Sequence, residues 1–191
     1  MTIEYGLIGE NLSHSFSKEV HEYLADYDYE LLALAPDQLD AFMKEKSFRG
    51  INVTIPYKEA VIPYLDVIDD TAKAIGAVNT VVNKGGKLYG YNTDILGMES
   101  LIRLLNVDLK DKKVAILGSG GTSMTATALA KSYPTREIIH VSRSPKDGAI
   151  SYEDLSANHK DLQILINTTP VGMYPKSFGV SPVDLDHFPE L

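Results

Sequence analysis

The sequence predicts an α/β protein of two domains, and three observations carry that expectation. Short apolar runs alternate with amphipathic stretches along the chain, a densely polar segment at 106–113 interrupts them, and a glycine turn beyond it joins a buried strand to a helix. With 191 residues, 44% of them hydrophobic and 23% charged, the chain can build a substantial core and has an ordinary globular composition.

The first domain is expected over 1–105. Tyr5-Gly-Leu-Ile8 reads as a strand that ends at Gly9, and Phe16, Val20, Tyr23, Leu24 and Tyr27 recur at helical spacings after it. Tyr29 to Leu34 reads as the next strand, Pro36 and Asp37 as a helix start, and Leu39, Phe42 and Met43 as the apolar stripe of that helix. Gly50 to Thr54 gives a third strand, which Pro56 ends while opening a helical stretch to Leu65. A second helical stretch follows Asp69 and Asp70, and Ala77 to Val82 resumes β character. Gly85-Gly86 is a two-residue hairpin turn into a strand over Lys87 to Tyr91. Beyond Asp94, the residues Ile95, Met98, Leu101, Ile102 and Leu105 form a helical stripe, after which the polar segment marks the domain boundary near residue 105.

The second domain is expected over 106–191. Val114-Ala-Ile-Leu117 is a continuous apolar strand, Gly118 to Thr122 a glycine turn, Ala126 to Ser132 a helix and Ile138 to Val141 a second strand, which together make a βαβ unit. Leu162 to Ile166 adds a third buried strand, and Pro170, Pro175, Pro182 and Pro189 punctuate an irregular tail. This is a Rossmann-like pattern with about three strands where a doubly wound nucleotide domain has six, so the domain is expected to be incomplete.

Charge and composition exclude several function classes. Eighteen Lys and Arg stand against 26 Asp and Glu, a formal charge of −8, and no basic tract offers the footprint that nucleic-acid binding needs. The chain has no cysteine, which removes disulfides, thiol nucleophiles and Cys-ligated metals. No stretch approaches the ~18 apolar residues of a membrane span, and MTIEYGLIGE lacks a basic n-region, so no membrane partner and a cytoplasmic location are expected. The five histidines (His14, His21, His140, His159, His187) form no i, i+4 pair, and no metal is expected. Monomer and homodimer both fit the sequence.

The glycine turn Gly118-Ser119-Gly120-Gly121-Thr122 lies where glycines let backbone approach a pyrophosphate and a helix N-terminus supplies N–H donors. Its spacing departs from G-x-G-x-x-G, and a tight turn without a ligand also fits. The second strand ends in Val141-Ser142-Arg143 without an acid, and Arg143 lies at about the twenty-residue spacing where an NADP site places a cation. A solvated surface arginine is the other reading; the position favours NADP.

Three polar clusters stand out in the first domain. Ser13-His14-Ser15-Phe16-Ser17 can cap a helix or bind hydroxyls and a carboxylate. Asn52-Val53-Thr54-Ile55-Pro56-Tyr57-Lys58 brings an amide, a hydroxyl and an amine to a strand's exit, where open α/β sheets bind ligands, although Lys58 also reads as a surface lysine. Ala77-Val78-Asn79-Thr80 and Tyr91-Asn92-Thr93-Asp94 place amides and an acid at strand ends, with helix capping an equally good reading of Asp94.

In order, S-H-S-F-S, N-V-T-I-P-Y-K, G-A-V-N-T-V, G-Y-N-T-D, G-S-G-G-T-S and I-N-T-T-P-V-G-M resemble the shikimate dehydrogenase family from residue 3 to about residue 175. The resemblance implies a shikimate-binding catalytic domain followed by an NADP-binding domain, and cytoplasmic, reversible reduction of 3-dehydroshikimate to shikimate for aromatic amino-acid synthesis. It implies that Ser15 and Ser17 bind the shikimate carboxylate, that Thr54, Asn79 and Asp94 contact ring hydroxyls, and that Lys58 and Asp94 are catalytic. Hydride leaves carbon only as the hydroxyl proton is removed, so a lysine there acts as a base or stabilises the developing oxyanion. Gly118, Ser119, Gly120, Gly121 and Thr122 match the pyrophosphate loop, Ser142 and Arg143 the adenosine-phosphate clamp, and Asn167, Thr168, Thr169 and Met173 the segment beside the nicotinamide. Met124 stands where many relatives carry a small, polar or basic side chain, and a C-terminal segment bearing a substrate-binding glutamine is missing. A fragment that binds shikimate-like polyols without turnover, and a quinate or NAD-dependent dehydrogenase, are the alternatives.

Overall fold

The computed structural model describes residues 3–13, 15–174 and 177–191, so His14 and Pro175 lie outside the described residues. The chain divides into two compact units, Met1–Thr93 and Asp94–Leu191.

The first unit runs β1 (Tyr5–Gly9), α1 (Ser17–Leu24), β2 (Glu30–Ala33), α2 (Leu39–Glu45), β3 (Gly50–Val53), α3 (Tyr57–Ala60), β4 (Val67–Ile68), α4 (Asp70–Ile75), β5 (Thr80–Lys84) and β6 (Lys87–Tyr91). These strands form one sheet in the order β2-β1-β3-β5-β6-β4. β1 is parallel to both β2 and β3, whereas β5 is antiparallel to β3 and β6. The hairpin turn has φ of 62° at Gly85 and 86° at Gly86, which fits a type I′ turn between twisted strands.

Side-chain alternation assigns the two faces of this sheet. Ile8, Ile51, Val53, Val81 and Leu88 pack with Phe42, Met43, Tyr57, Val61 and Ala72 in the main core, and burial of each large aliphatic, Phe or Met side chain contributes roughly 1.5–3 kcal/mol. Leu7, Asn52 and Thr80 are cross-strand partners in register, so they share the opposite face. There Leu7 joins Leu12 and Tyr29 in a smaller cluster. The first helix is shorter than its apolar spacing suggested and buries none of its residues; Phe16 is 74% and Tyr23 89% exposed. Periodicity located this helix, but the stripe does not enter the core of its own unit. The two-residue strand β4 was missed because two residues show no alternation.

The second unit contains α5 (Asp94–Leu104), β7 (Lys113–Leu117), α6 (Gly121–Lys131), β8 (Glu137–Val141), α7 (Tyr152–Asn158) and β9 (Ile164–Asn167). The division falls before α5 rather than after it, because Met98 and Ile102 of this helix pack against Leu109, Val114, Ile116 and Ala126. All three strands are parallel, in the order β8-β7-β9. The sequence reading placed the start of α6 too late: the helix begins at Gly121, so Gly121 and Thr122 form its first turn. It also missed α7, whose Ser151 cap accepts a hydrogen bond from the Asp154 N–H at 3.1 Å.

No helix among the described residues is long and apolar enough to cross a membrane.

Candidate active site

In the first unit, the sheet's topology gathers the polar clusters at one edge. Parallel β1 and β3 finish together, with Ile8 opposite Val53, and the Thr54 N–H donates to the Ile8 carbonyl at 2.9 Å. A Cβ on Gly9 would sit 2.6 Å from Thr54 Cγ2, so glycine there lets the threonine approach the end of β1. Antiparallel β5 starts beside the end of β3, and the Val53 N–H donates to the Asn79 carbonyl at 2.8 Å. The Val78 N–H donates to the Lys58 carbonyl at 2.8 Å, and the Asn79 N–H to the Tyr91 carbonyl at 3.0 Å. Thr54, Lys58, Asn79 and Thr93 are thereby fixed around the carboxyl ends of β3 and β6.

Lys58 is half-buried on a helix of a single turn, reached through a cis Ile55–Pro56 bond. Its neighbour Tyr57 is buried and donates its hydroxyl to the Leu34 carbonyl at 2.6 Å. This anchors the turn, and burial raises the phenol's pKa above its ordinary value, which keeps it a donor.

Ser15 and Ser17 lie together in the segment leaving β1. The Ser15 hydroxyl donates to Ser17 Oγ at 3.1 Å and accepts from the Ser17 N–H at 3.2 Å. His14, between Ser13 and Ser15, lies outside the described residues.

The side chain of Asn79 is buried and heavily bonded. Its Oδ1 accepts from the Thr93 N–H at 2.8 Å and from the Thr80 hydroxyl at 3.1 Å, while Nδ2 donates to Thr93 Oγ1 at 3.0 Å. The Asn92 Nδ2 donates to the Ala77 carbonyl at 2.9 Å and pins the same loop. Asp94 follows Thr93 directly in the chain and is the first residue of α5, half-buried, in the second unit.

In the second unit, β7 is central and the chain turns from it to β8 on one side and β9 on the other. The carboxyl ends Leu117, Val141 and Asn167 are in register, so the three candidate cofactor segments leave one edge of the sheet at the point where strand order reverses. Gly118 has φ of 113°, and a Cβ there would meet Thr168 Oγ1 at 2.7 Å, so both backbone and space demand glycine. A Cβ on Gly120 would meet nothing within 4 Å, which leaves open space beside the N-terminus of α6. The first-turn N–H groups of Gly121 and Thr122 point out of that helix end, and Ser119 lies between the two glycines. These features fit a pyrophosphate.

Ser142 and Arg143 follow β8, with the Ser144 N–H donating to Ser142 Oγ at 3.2 Å and Arg143 exposed. After β9, Asn167 Oδ1 accepts from Thr169 N–H and Oγ1 at 3.0 and 2.7 Å, and Nδ2 donates to the Val171 carbonyl at 2.8 Å. The Thr168 hydroxyl donates to the Leu117 carbonyl, tying this turn to the glycine turn, while Met173 is exposed.

Sequence reasoning named Asn52 and Thr80 within the polar clusters without giving either a role, and it missed Tyr29, whose hydroxyl donates to Asn52 Oδ1 at 2.6 Å. The available signal was Asn52 and Thr80 on alternating positions of strands whose neighbours are apolar. Tyr29 carries no comparable signal, because tyrosine is common in strands.

Comparison with known proteins agrees with this architecture. The family model described as the shikimate dehydrogenase substrate binding domain matches residues 7–81. A protein of Clostridium beijerinckii named shikimate dehydrogenase (NADP(+)) is 40% identical over 189 residues, covering 90% of this chain and 69% of the relative. The crystal structure of shikimate dehydrogenase 1 from Peptoclostridium difficile matches with a TM-score of 0.86 and 36% identity, covering 98% of this chain and 74% of that one. The Thermus thermophilus shikimate 5-dehydrogenase, solved with NADP(H) and shikimate, matches with a TM-score of 0.82 and 28% identity over 98% of this chain and 76% of that one. By its sequence identity to these proteins over most of its length, the chain belongs to the shikimate dehydrogenase family.

Proposed function

We propose that this protein reduces 3-dehydroshikimate to shikimate reversibly with NADP, as an oxidoreductase of aromatic amino-acid precursor synthesis. One observation carries the reading: the chain has a first sheet edge lined by hydroxyl, amide and amine groups suited to a carboxylated polyol, and a second edge built around glycines and a helix N-terminus. Relatives named as NADP-dependent shikimate dehydrogenases support the same substrate and cofactor.

The hydroxyls of Ser15 and Ser17, held together on one short segment, suit the two oxygens of the substrate carboxylate. Thr54 and Asn79 meet ring hydroxyls. Lys58 stands at the reacting hydroxyl, where its Nζ holds or takes the proton and so stabilises oxyanion character as hydride leaves the carbon. Asp94 enters through its place in the G-Y-N-T-D motif, as a carboxylate that accepts from a substrate hydroxyl. In the second unit, Gly118 to Thr122 cradle the pyrophosphate, and Arg143 with Ser142 binds the 2′-phosphate. Asn167, Thr168, Thr169 and Met173 flank the nicotinamide. Bound NADP supplies the hydride acceptor. No residue here is assigned to a metal or to nucleic acid, and we place the reaction in the cytoplasm, where the biosynthetic NADP pool is used.

The test is initial-rate kinetics with shikimate or quinate and with NADP or NAD. Fastest turnover is expected for shikimate with NADP; a clear preference for quinate with NAD would contradict the assignment.

A further inference from the structure

Between β8 and α7 the chain folds back and brings one more residue to the corner that holds Ser142 and Arg143. Ile150 makes a single parallel bridge with Val141. Its N–H donates to the His140 carbonyl at 2.8 Å, and its carbonyl accepts from the Ser142 N–H at 3.0 Å. The chain therefore passes Ile150 in the same direction as β8, along the side of β8 that does not pair with β7, and leaves at the same end of the sheet. Arg143 lies two residues beyond Val141 and Tyr152 two residues beyond Ile150, so equal steps from a bridged pair bring them out side by side.

Packing and charge define what the Tyr152 side chain offers there. Its ring is half-buried and packs against the core that contains Leu117, Val141, Leu155 and Leu162. Among the described residues its hydroxyl has no hydrogen-bond partner, and the exposed Arg143 guanidinium has no ion-pair partner. Burial raises the phenol's pKa above its ordinary value; the charge of Arg143 acts in the opposite direction and is the weaker influence. The phenol thus keeps its proton within the field of a guanidinium. The acids that open α7 are engaged elsewhere: Glu153 accepts from its own N–H and from the Ser151 hydroxyl, and Asp154 Oδ1 accepts from Asn158 Nδ2 at 2.6 Å. A neutral donor beside a cation suits an anion, because the cation supplies charge and the hydroxyl supplies a directed bond.

We propose that Tyr152 is a third member of the 2′-phosphate site, its hydroxyl donating to the phosphate beside Ser142 and Arg143. Tyr152 is then a specificity-determining residue: NAD, which lacks that phosphate, loses nothing when the hydroxyl is removed. The inference rests on the reading of Ser142 and Arg143 as the 2′-phosphate clamp.

Tyr152→Phe keeps the packed ring and removes only the hydroxyl. Adenosine 2′,5′-bisphosphate and AMP differ by the 2′-phosphate alone, and titrating each into the full chain while following its amide resonances isolates that contact without any turnover. Tyr152→Phe is expected to raise the Kd for the bisphosphate about fivefold and to leave the Kd for AMP unchanged. With shikimate as the second substrate, KM for NADP is expected to rise by about the same factor at unchanged kcat, and KM for NAD to stay in place. Arg143→Ala serves as the reference and is expected to weaken the bisphosphate about tenfold. Equal weakening of bisphosphate and AMP in Tyr152→Phe would reduce the residue to a packing role and overturn the proposal. Unchanged bisphosphate binding in Tyr152→Phe, where Arg143→Ala weakens it, would overturn the proposal too and leave the clamp standing. A parent chain that binds the bisphosphate no more tightly than AMP overturns the reading of the clamp itself.

Discussion

In the proposed function the two sheet edges hold a polar ligand in opposite ways. The first edge uses side chains: serine, threonine and asparagine groups held by hydrogen bonds to one another and to neighbouring strands, with Lys58 beside them. The second edge uses backbone: a glycine turn, a helix start and strand ends in register, with Arg143 as a charged addition. A side-chain site encodes specificity, because each group fixes one donor or acceptor, whereas a backbone site recognises a common anion at little cost in sequence. Substitutions should therefore alter turnover and substrate choice at the first edge, and cofactor affinity or folding at the second.

The largest expected effect lies at the first edge. Lys58→Ala is expected to lower kcat ~100-fold or more with less change in KM, because in the proposed mechanism the amine acts mainly in the transition state. A rise in KM alone would make it a binding residue. At the second edge Gly118→Ala is expected to cost roughly 1–3 kcal/mol of stability, since the position has φ of 113° and lacks room beside Thr168. Chemical denaturation reads this directly, and an unchanged midpoint would remove the steric argument. Arg143→Ala is expected to raise KM for NADP about tenfold with little change for NAD; equal losses with both would assign it another role.

The smallest effect sharpens the comparison away from either edge. Buried Lys113, at the opposite end of β7, bonds Asp161 at 2.8 Å and lies 3.3 Å from Glu137. Burial alone would lower the Lys113 pKa, but the bonds its ammonium donates to Asp161 and Glu137 outweigh it and raise it. The bond from Lys113 likewise holds the Asp161 carboxyl below its ordinary value. A depressed acid stabilises the fold above its unfolded pKa and loses that contribution as pH falls through its folded pKa, here below about pH 4. Asp161→Asn is expected to flatten this acid loss while leaving NADP affinity unchanged, and acid titration by circular dichroism checks it.

The same contrast explains what was legible in the sequence. The second edge could be read because a run of glycines after a strand, a continuous apolar strand and a cation at the next strand's end are local signals. Thr54, Lys58 and Asn79 could be singled out because polar residues interrupt strand ends, and the motif resemblance gave them roles. The bonds from Tyr29 to Asn52 and from Asn52 to Thr80 could not, since they join residues far apart in sequence through cross-strand pairing that only the register Leu7–Asn52–Thr80 reveals. The exposed stripe of α1 and the attachment of α5 to the second core were equally hidden, because periodicity reports that a helix has an apolar face and not which surface covers it.

The central claim is that the two edges serve one reaction, shikimate on the first and NADP on the second. Following NADPH absorbance on mixing the purified chain with shikimate and NADP tests it most directly, beside the same chain carrying Lys58→Ala. Shikimate-dependent reduction of NADP that falls ~100-fold in the variant is the result expected. Equal rates in the two proteins, or no shikimate-dependent reduction by the parent chain, would contradict the account.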